Sequence, residues 1–303
     1  MFERVGFPEY SSEIRSTELE SADVQNLLDL IGRRETVDAW QHERMLHFLS
    51  PIIRTYPDAH WLTIGDGGAD AWLLRKFGIR SVTASSISDA RLKKLQELRC
   101  LGGIEVRALN AECLELPNAS YDFVICTQAY HHLHRPPVAF YEFMRVSRIG
   151  FVLIEPAECQ SRLLDVLRTL SKVLLRRRRP VYDLFEPAGN YIYRLSERDV
   201  FRMLAAMQLP WFAVKTFNNF SSGWLATQNR NALLARSIFN AAVGVQDILC
   251  RCRLMSPGLT VIVVPNMNAV AGPLEPNLRA AGFRVMPIPK NPYTVSDSHQ
   301  AGE

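Results

Sequence analysis

The sequence predicts a doubly wound α/β fold, a mostly parallel sheet with helices on both faces. Two observations carry this. Short apolar runs alternate with helical segments from about residue 59 to 156, and a glycine cluster, "GDGGAD" at 65–70, lies between the first run and the first helix of that series. With 303 residues, 48% of them hydrophobic and 22% charged, the chain can bury a large core and sits near the upper limit for one domain.

The elements follow in order. Residues 19–55 place Leu27, Leu28, Leu30 and Ile31, then Met45, Leu46, Phe48 and Leu49, between charges, a helical pattern without obvious chemistry. The alternation then reads "HWLTI", a helix through Trp72 to Phe77, "SVTAS", a helix from Asp89 to Arg99, "IEVRAL", "YDFVIC", a helix around Pro137 to Val146, and "FVLIE". After Glu155 the rhythm changes. Leu163, Leu167, Leu170 and Leu174 recur at helical spacing, Arg176 to Arg179 follow, and the loop "PVYDLFEPAGNYIY" completes what reads as an insertion after the fifth strand.

Ser196 with Asp199 three residues on predicts a capping box ahead of the apolar helix Val200 to Met207. The strand "WFAVKTF", a long helical segment over 229–253, the strand "LTVIVV" and a last helix-strand pattern, "LRAAGFRVMPI", precede a polar tail. The expected division is an N-terminal helical cap (1–58), a core (59–265) interrupted by the insertion (157–195), and a C-terminal extension with a loose end (266–303).

A net charge of +4 without long Lys/Arg tracts argues against nucleic acid as a partner. Cys100, Cys113, Cys126, Cys159, Cys250 and Cys252 are scattered, and their one close pair is C-x-C, too tight for the usual metal or redox spacing. They read as reduced, mostly buried thiols of a cytoplasmic protein, with no metal site expected. The first twenty residues contain no apolar signal core, and no stretch approaches the ~18 apolar residues of a membrane span. A soluble protein that is not exported is expected.

In an open parallel sheet, ligands bind beyond the carboxyl ends of the strands at the topological switch point. Gly65 and Gly67 let the backbone approach a ligand there, and the helix beginning near Asp70 aims N–H groups at it. A nicotinamide fingerprint G-x-G-x-x-G is absent, because Asp70 stands at its third glycine. Three further segments fall in register: "VTASSIS" at 82–88, "RALNAECLELP" at 107–117, and "ASYDFVICTQAYHHLHRPP" at 119–137.

With these, the chain resembles the class I methyltransferases that use S-adenosylmethionine (SAM), with a Rossmann-like core of the type 11/25 kind. The string "LELPNASYDFVICTQAYHHL" at 114–133 carries most of the likeness. The resemblance implies a seven-stranded sheet with an antiparallel last strand, SAM as cofactor and S-adenosylhomocysteine as product. Carried over residue by residue, Gly65, Asp66 and Gly67 approach the methionine part of SAM, and Ser86 and Ile87 flank ribose and adenine. Asn110 and Ala111 meet the adenine edge, and Thr127 and Gln128 line the floor beneath the sulfonium.

Three positions depart from the family pattern. Thr63 replaces an acid on the first strand, Ala69 a third glycine, and Ser86 the ribose-binding acid. Each lost charge-assisted hydrogen bond is worth ~1.5–3 kcal/mol, so Asp66 is expected to answer the cationic amino group instead.

His131 and His132 stand where the family often places a base, and an imidazole titrates in the useful range. They are read either as a general base (His131) with an orienting partner (His132), or as structural histidines bonded to backbone. Tyr130, Tyr191 and Tyr193 are candidate acceptor contacts, with loop packing as the other reading. Arg176 to Arg179 read as a solvated helix end or as contact with an acidic acceptor or membrane surface. His42, His47 and His60 show no ligand spacing. The expected function is methylation of a small-molecule or sugar-containing acceptor, leaning to a hydroxyl. A degenerate binding or regulatory member, or a SAM-using enzyme with another outcome such as cyclisation, stay open as alternatives.

Overall fold

A computed structural model describes residues 35–98, 100–157, 185, 191–220, 223–269 and 272–292. Most of the insertion predicted over 157–195, the Arg176 to Arg179 run and the first 34 residues lie outside the described residues.

Two helices come first, α1 (Val37–His47) and α2 (Ser50–Thr55), followed by β1 (His60–Ile64), α3 (Ala69–Lys76), β2 (Ser81–Ser86), α4 (Ala90–Glu97) and β3 (Glu105–Ala108). Next come β4 (Tyr121–Thr127), a 3-10 turn at Tyr130–His132, α5 (Pro136–Val146) and β5 (Ser147–Pro156). The remainder is α6 (Glu197–Ala206), β6 (Trp211–Phe217), α7 (Gly223–Ala226), α8 (Leu233–Arg251), β7 (Leu259–Pro265), α9 (Leu274–Ala280) and β8 (Arg284–Pro287). The strands form one sheet in the order β3-β2-β1-β4-β5-β7-β6-β8. β3, β2, β1, β4 and β5 pair in parallel, whereas β7 runs antiparallel to both β5 and β6, and β8 antiparallel to β6.

The sheet has eight strands rather than seven. The additional strand is the "RVMP" of the predicted C-terminal helix-strand pattern, which pairs with the edge of β6 from Trp211 to Val214. The antiparallel strand expected last is β7, inserted between β5 and β6.

Parallel strands covered on both faces are apolar throughout, and their alternate residues divide between two cores. Trp61, Phe123, Ile125, Val152 and Ile154 join the core under α1, α2, α3, α4 and α9. Leu62, Ile64, Val124, Cys126, Phe151 and Leu153 face the other way and meet α5 and α6. α6 starts at the predicted capping box: Ser196 Oγ accepts from the Asp199 N–H at 3.1 Å, and Asp199 accepts from the Ser196 N–H.

Two expectations change. Of the described cysteines only Cys126 is buried, because Cys113 and Cys252 occupy exposed turns and Cys100 and Cys250 are half-covered. α8 is long and apolar enough to cross a membrane by length and composition, which the sequence reading had not counted. In the fold it lies on the surface, held to α1 by Ala235 and Phe239, with Leu233, Leu234, Val245 and Ile248 exposed.

Gly150 lets β5 lie close against β7: a Cβ there would collide with the Val264 carbonyl oxygen. Gly150→Ala is expected to destabilise the protein by about 1–3 kcal/mol, read as a lower midpoint in urea.

Candidate active site

The chain order reverses between β2-β1 and β4-β5, so the loops leaving β1 and β4 face each other across the switch point. They touch there. Gly65 has a φ of 67°, and a Cβ on it would sit 2.6 Å from the Ala129 Cβ in the loop after β4. A Cβ on Gly67 would meet the Arg91 guanidinium of α4 at 2.7 Å. Gly65 admits no side chain and Gly67 one only if Arg91 shifts, so the loop forms a tight backbone cradle against the β4 loop and α4.

The cradle is held by Asp66, which is only 4% exposed. Its Oδ1 accepts from the N–H groups of Gly68 (2.7 Å) and Asp70 (3.1 Å), and its Oδ2 accepts from the Ala71 N–H (2.9 Å) and the Thr63 hydroxyl (2.9 Å). The carboxylate therefore caps the first turn of α3. Thr63 and Asp66 act as a pair: the strand position that lost an acid supplies a hydroxyl to a carboxylate relocated three residues on. With four bonds accepted inside the loop, Asp66 organises the glycines, and the expectation that it grips the ammonium gives way. The loop is also tied to β2, since the Asp66 N–H donates to the Ser85 carbonyl (2.9 Å) and the Ser85 hydroxyl to the Thr63 carbonyl (2.5 Å).

The predicted nucleoside contacts occupy the neighbouring strand ends. Ser86 is half-buried at the end of β2 and Ile87 is 56% exposed beside it. Asn110 is exposed after β3, its Oδ1 accepting from the Glu112 N–H at 3.0 Å, and Ala111 is buried.

Beyond β4, Gln128 takes a left-handed backbone (φ 51°), donates its N–H to the Ile154 carbonyl (2.8 Å) and reaches Met45 Sδ from its amide. That turn brings the N–H groups of Ala129 (3.0 Å) and Tyr130 (2.9 Å) onto Glu155 Oε1, at the end of β5. Glu155 Oε2 lies 2.6 Å from His131 Nδ1. Glu155 is 2% exposed, and the His131 ring packs 3.8 Å from that of His132. The result is an imidazole whose Nδ1 is held by a carboxylate that two backbone donors fix in turn.

The predicted tyrosines separate. Tyr130 is fully buried, packed against Phe143 and Tyr193, and burial pushes its hydroxyl pKa well up. It supports the site from within the core rather than meeting an acceptor. Tyr193 is half-buried, and its N–H donates to the His131 carbonyl at 3.0 Å, while Tyr191 is 52% exposed and stacks edge-on with Phe185.

Sequence reasoning missed several contributors. Glu155 was read only as the end of an apolar run; a lone acid closing such a run was its signal. Glu112 accepts from the N–H groups of His134 and Arg135 (2.8 Å each) and from Arg135 Nε, clamping the loop behind the histidines. Arg145 donates to the carbonyls of Leu114 and Leu116 and pairs with Glu142, fixing the approach to β4. Asp70 is buried, and burial together with Asp66 and Glu155 raises its carboxyl well above the usual range.

Residues 62–154 match the family model described as a methyltransferase domain. Over 89 residues the chain is 34% identical to a Mycobacterium ulcerans (strain Agy99) protein named "Probable phthiotriol/phenolphthiotriol dimycocerosates methyltransferase 2". That match takes in 29% of this chain and 34% of the other, so the chain spans about a third of that curated relative's length. Among solved structures, magnesium protoporphyrin IX methyltransferase from Synechocystis PCC 6803, with S-adenosylhomocysteine bound, is similar at a TM-score of 0.50. The identity is 14%, covering 84% of this chain and 99% of that one. The YcgJ protein of Bacillus subtilis gives a TM-score of 0.47 at 18% identity, covering 72% and 96%. The fold is that of the Rossmann-like methyltransferases. Residues 62–154, from β1 to β5, carry the match to the methyltransferase domain model.

Asp66→Ala removes the cap and strands the Thr63 hydroxyl, and a loss of about 2 kcal/mol is expected in urea unfolding. A loss below a few tenths of that would remove Asp66 from the loop's support.

Proposed function

We propose that the protein transfers a methyl group from SAM to a hydroxyl of a small-molecule or sugar-containing acceptor, with His131 as general base. The observation that carries this reading is the His131 Nδ1 to Glu155 Oε2 contact of 2.6 Å at the carboxyl end of the switch-point strands. The cradle at Gly65 and Gly67 fits a nucleoside, with Ser86 and Ile87 at ribose and adenine, Asn110 and Ala111 at the adenine edge, and Thr127 and Gln128 beneath the reacting centre. SAM supplies a methyl group on a sulfonium that is already a strong leaving group.

The protein's tasks are to hold the acceptor in line and to take its proton. Glu155 holds His131 in the tautomer that carries hydrogen on Nδ1, so Nε2 accepts the proton and the imidazolium formed is stabilised by the carboxylate 2.6 Å away. His132, tilted at 45° against the same ring, limits its rotation. Tyr191 and Tyr193, on the segment bonded to the His131 carbonyl, offer aromatic surface to the acceptor. The M. ulcerans relative, named for methylating phthiotriol-type compounds, is consistent with a hydroxyl acceptor.

Mass spectrometry of the purified protein for co-purified SAM or S-adenosylhomocysteine tests the cofactor, and its absence with no binding at millimolar concentration would favour a non-catalytic binding role. A bound cofactor without methylated product would point to cyclisation or another outcome. His131→Ala is expected to lower kcat by roughly 10²–10⁴-fold while cofactor affinity is kept, and Glu155→Gln to lower kcat by a similar factor. Unchanged turnover in His131→Ala would remove the histidine from the mechanism.

A further inference from the structure

Three carboxylates converge beneath the glycine loop, and they are not equivalent. Asp66 is satisfied by four donors, and Glu155 by two backbone N–H groups and His131. Asp70, on the first turn of α3, is 8% exposed and pairs with no cation among the described residues. Its own N–H donates to Asp66, so Asp66 rather than Asp70 caps the helix. The groups facing the Asp70 carboxyl are Asp66 from the loop, Glu155 from β5, and Cys126 and Thr127 from β4. Of these only the Thr127 hydroxyl favours its charged form, and the Cys126 thiol is itself pushed up by burial and by Glu155.

A buried acid with no counter-charge is costly to a fold and does nothing for it unless a ligand completes it. What completes it is a cation at the carboxyl ends of β1 and β4, carrying N–H donors to satisfy a carboxylate.

We infer that Asp70, with the Thr127 hydroxyl beside it, is the subsite for the α-ammonium group of the cofactor's amino-acid part. It takes over the grip lost when Thr63 replaced an acid on β1. This rests on the SAM reading above. The ammonium is the fitting cation because Asp70 directly follows the glycine loop that the SAM reading gives to the methionine part, and because a sulfonium has no hydrogen to donate. In the empty site the carboxyl holds its proton to a higher pH than an ordinary carboxylate. The arriving ammonium favours the charged form, so the proton leaves as the ligand binds, and affinity rises with pH across the empty carboxyl's titration.

Calorimetry of the full chain and of Asp70→Asn with SAM, S-adenosylhomocysteine and 5′-methylthioadenosine, in two buffers of different ionisation enthalpy, tests this. The first two ligands carry the ammonium and the third lacks the amino-acid part. Asp70→Asn is expected to weaken SAM and S-adenosylhomocysteine by roughly 10- to 100-fold, to leave 5′-methylthioadenosine within about threefold, and to abolish proton release. Without ligand the variant is expected to melt no lower than the parent, since it removes a buried acid that no cation balances among the described residues. Unchanged affinity for the amino-acid ligands, an equal loss for all three, or a lower melting temperature would each overturn the assignment. Thr127→Val is expected to show the same selectivity more weakly, and serves if the first variant does not fold. Failure of the parent chain to bind any of the three would instead bring down the cofactor reading itself.

Discussion

The cap that Asp66 places on α3 sets the geometry of everything around it. Four donors converge on one buried carboxylate, and with them Gly65 and Gly67 are fixed in a turn that presents backbone rather than side chain to the switch point. The same turn brings Gly65 against Ala129, so the loops after β1 and β4 stand in contact. Because Ala129 and the next residue donate to Glu155, the position of the cradle and the orientation of His131 are mechanically linked. A shift of the first loop would be felt at the imidazole.

Three acids in one enclosed volume would repel each other strongly if all were charged and unpaired. The structure separates their roles by partner. Asp66 works for the backbone, Glu155 for the imidazole, and Asp70 faces no cation among the described residues, so burial pushes its carboxyl up. That division reconciles the retained glycines with the absent acid on β1. The anionic character of the site has been redistributed along the loop and onto β5 rather than removed.

The clamps around this centre are ordinary polar contacts on the loops behind it. Glu112 and Arg145 hold two connections in place through backbone bonds, so the histidine turn enters α5 at a fixed angle. The family match from 62 to 154 takes in the glycine loop and the histidine turn and stops one residue short of Glu155, and the sheet beyond it, β6 to β8, completes the fold.

The sequence by itself determined the alternation of strands and helices, the capping box at Ser196 and the C-terminal helix-strand pair. Those signals are local, since hydrophobic period, cap residues and glycine spacing act within a few residues. It also brought His131 into view. Only the tertiary structure decided what each acid does, because that depends on which donors lie within hydrogen-bond reach, and those donors come from chain positions 24 to 26 residues distant for Glu155. The same holds for Tyr130, which pattern alone placed at the site and packing placed in the core, and for β8, whose strand character could be read but whose partner, β6, could not. Thr63 is the plainest case: in the sequence it is a position without the expected acid, and in the fold it is a donor to Asp66, because a turn of the backbone brings that carboxylate back to within 2.9 Å.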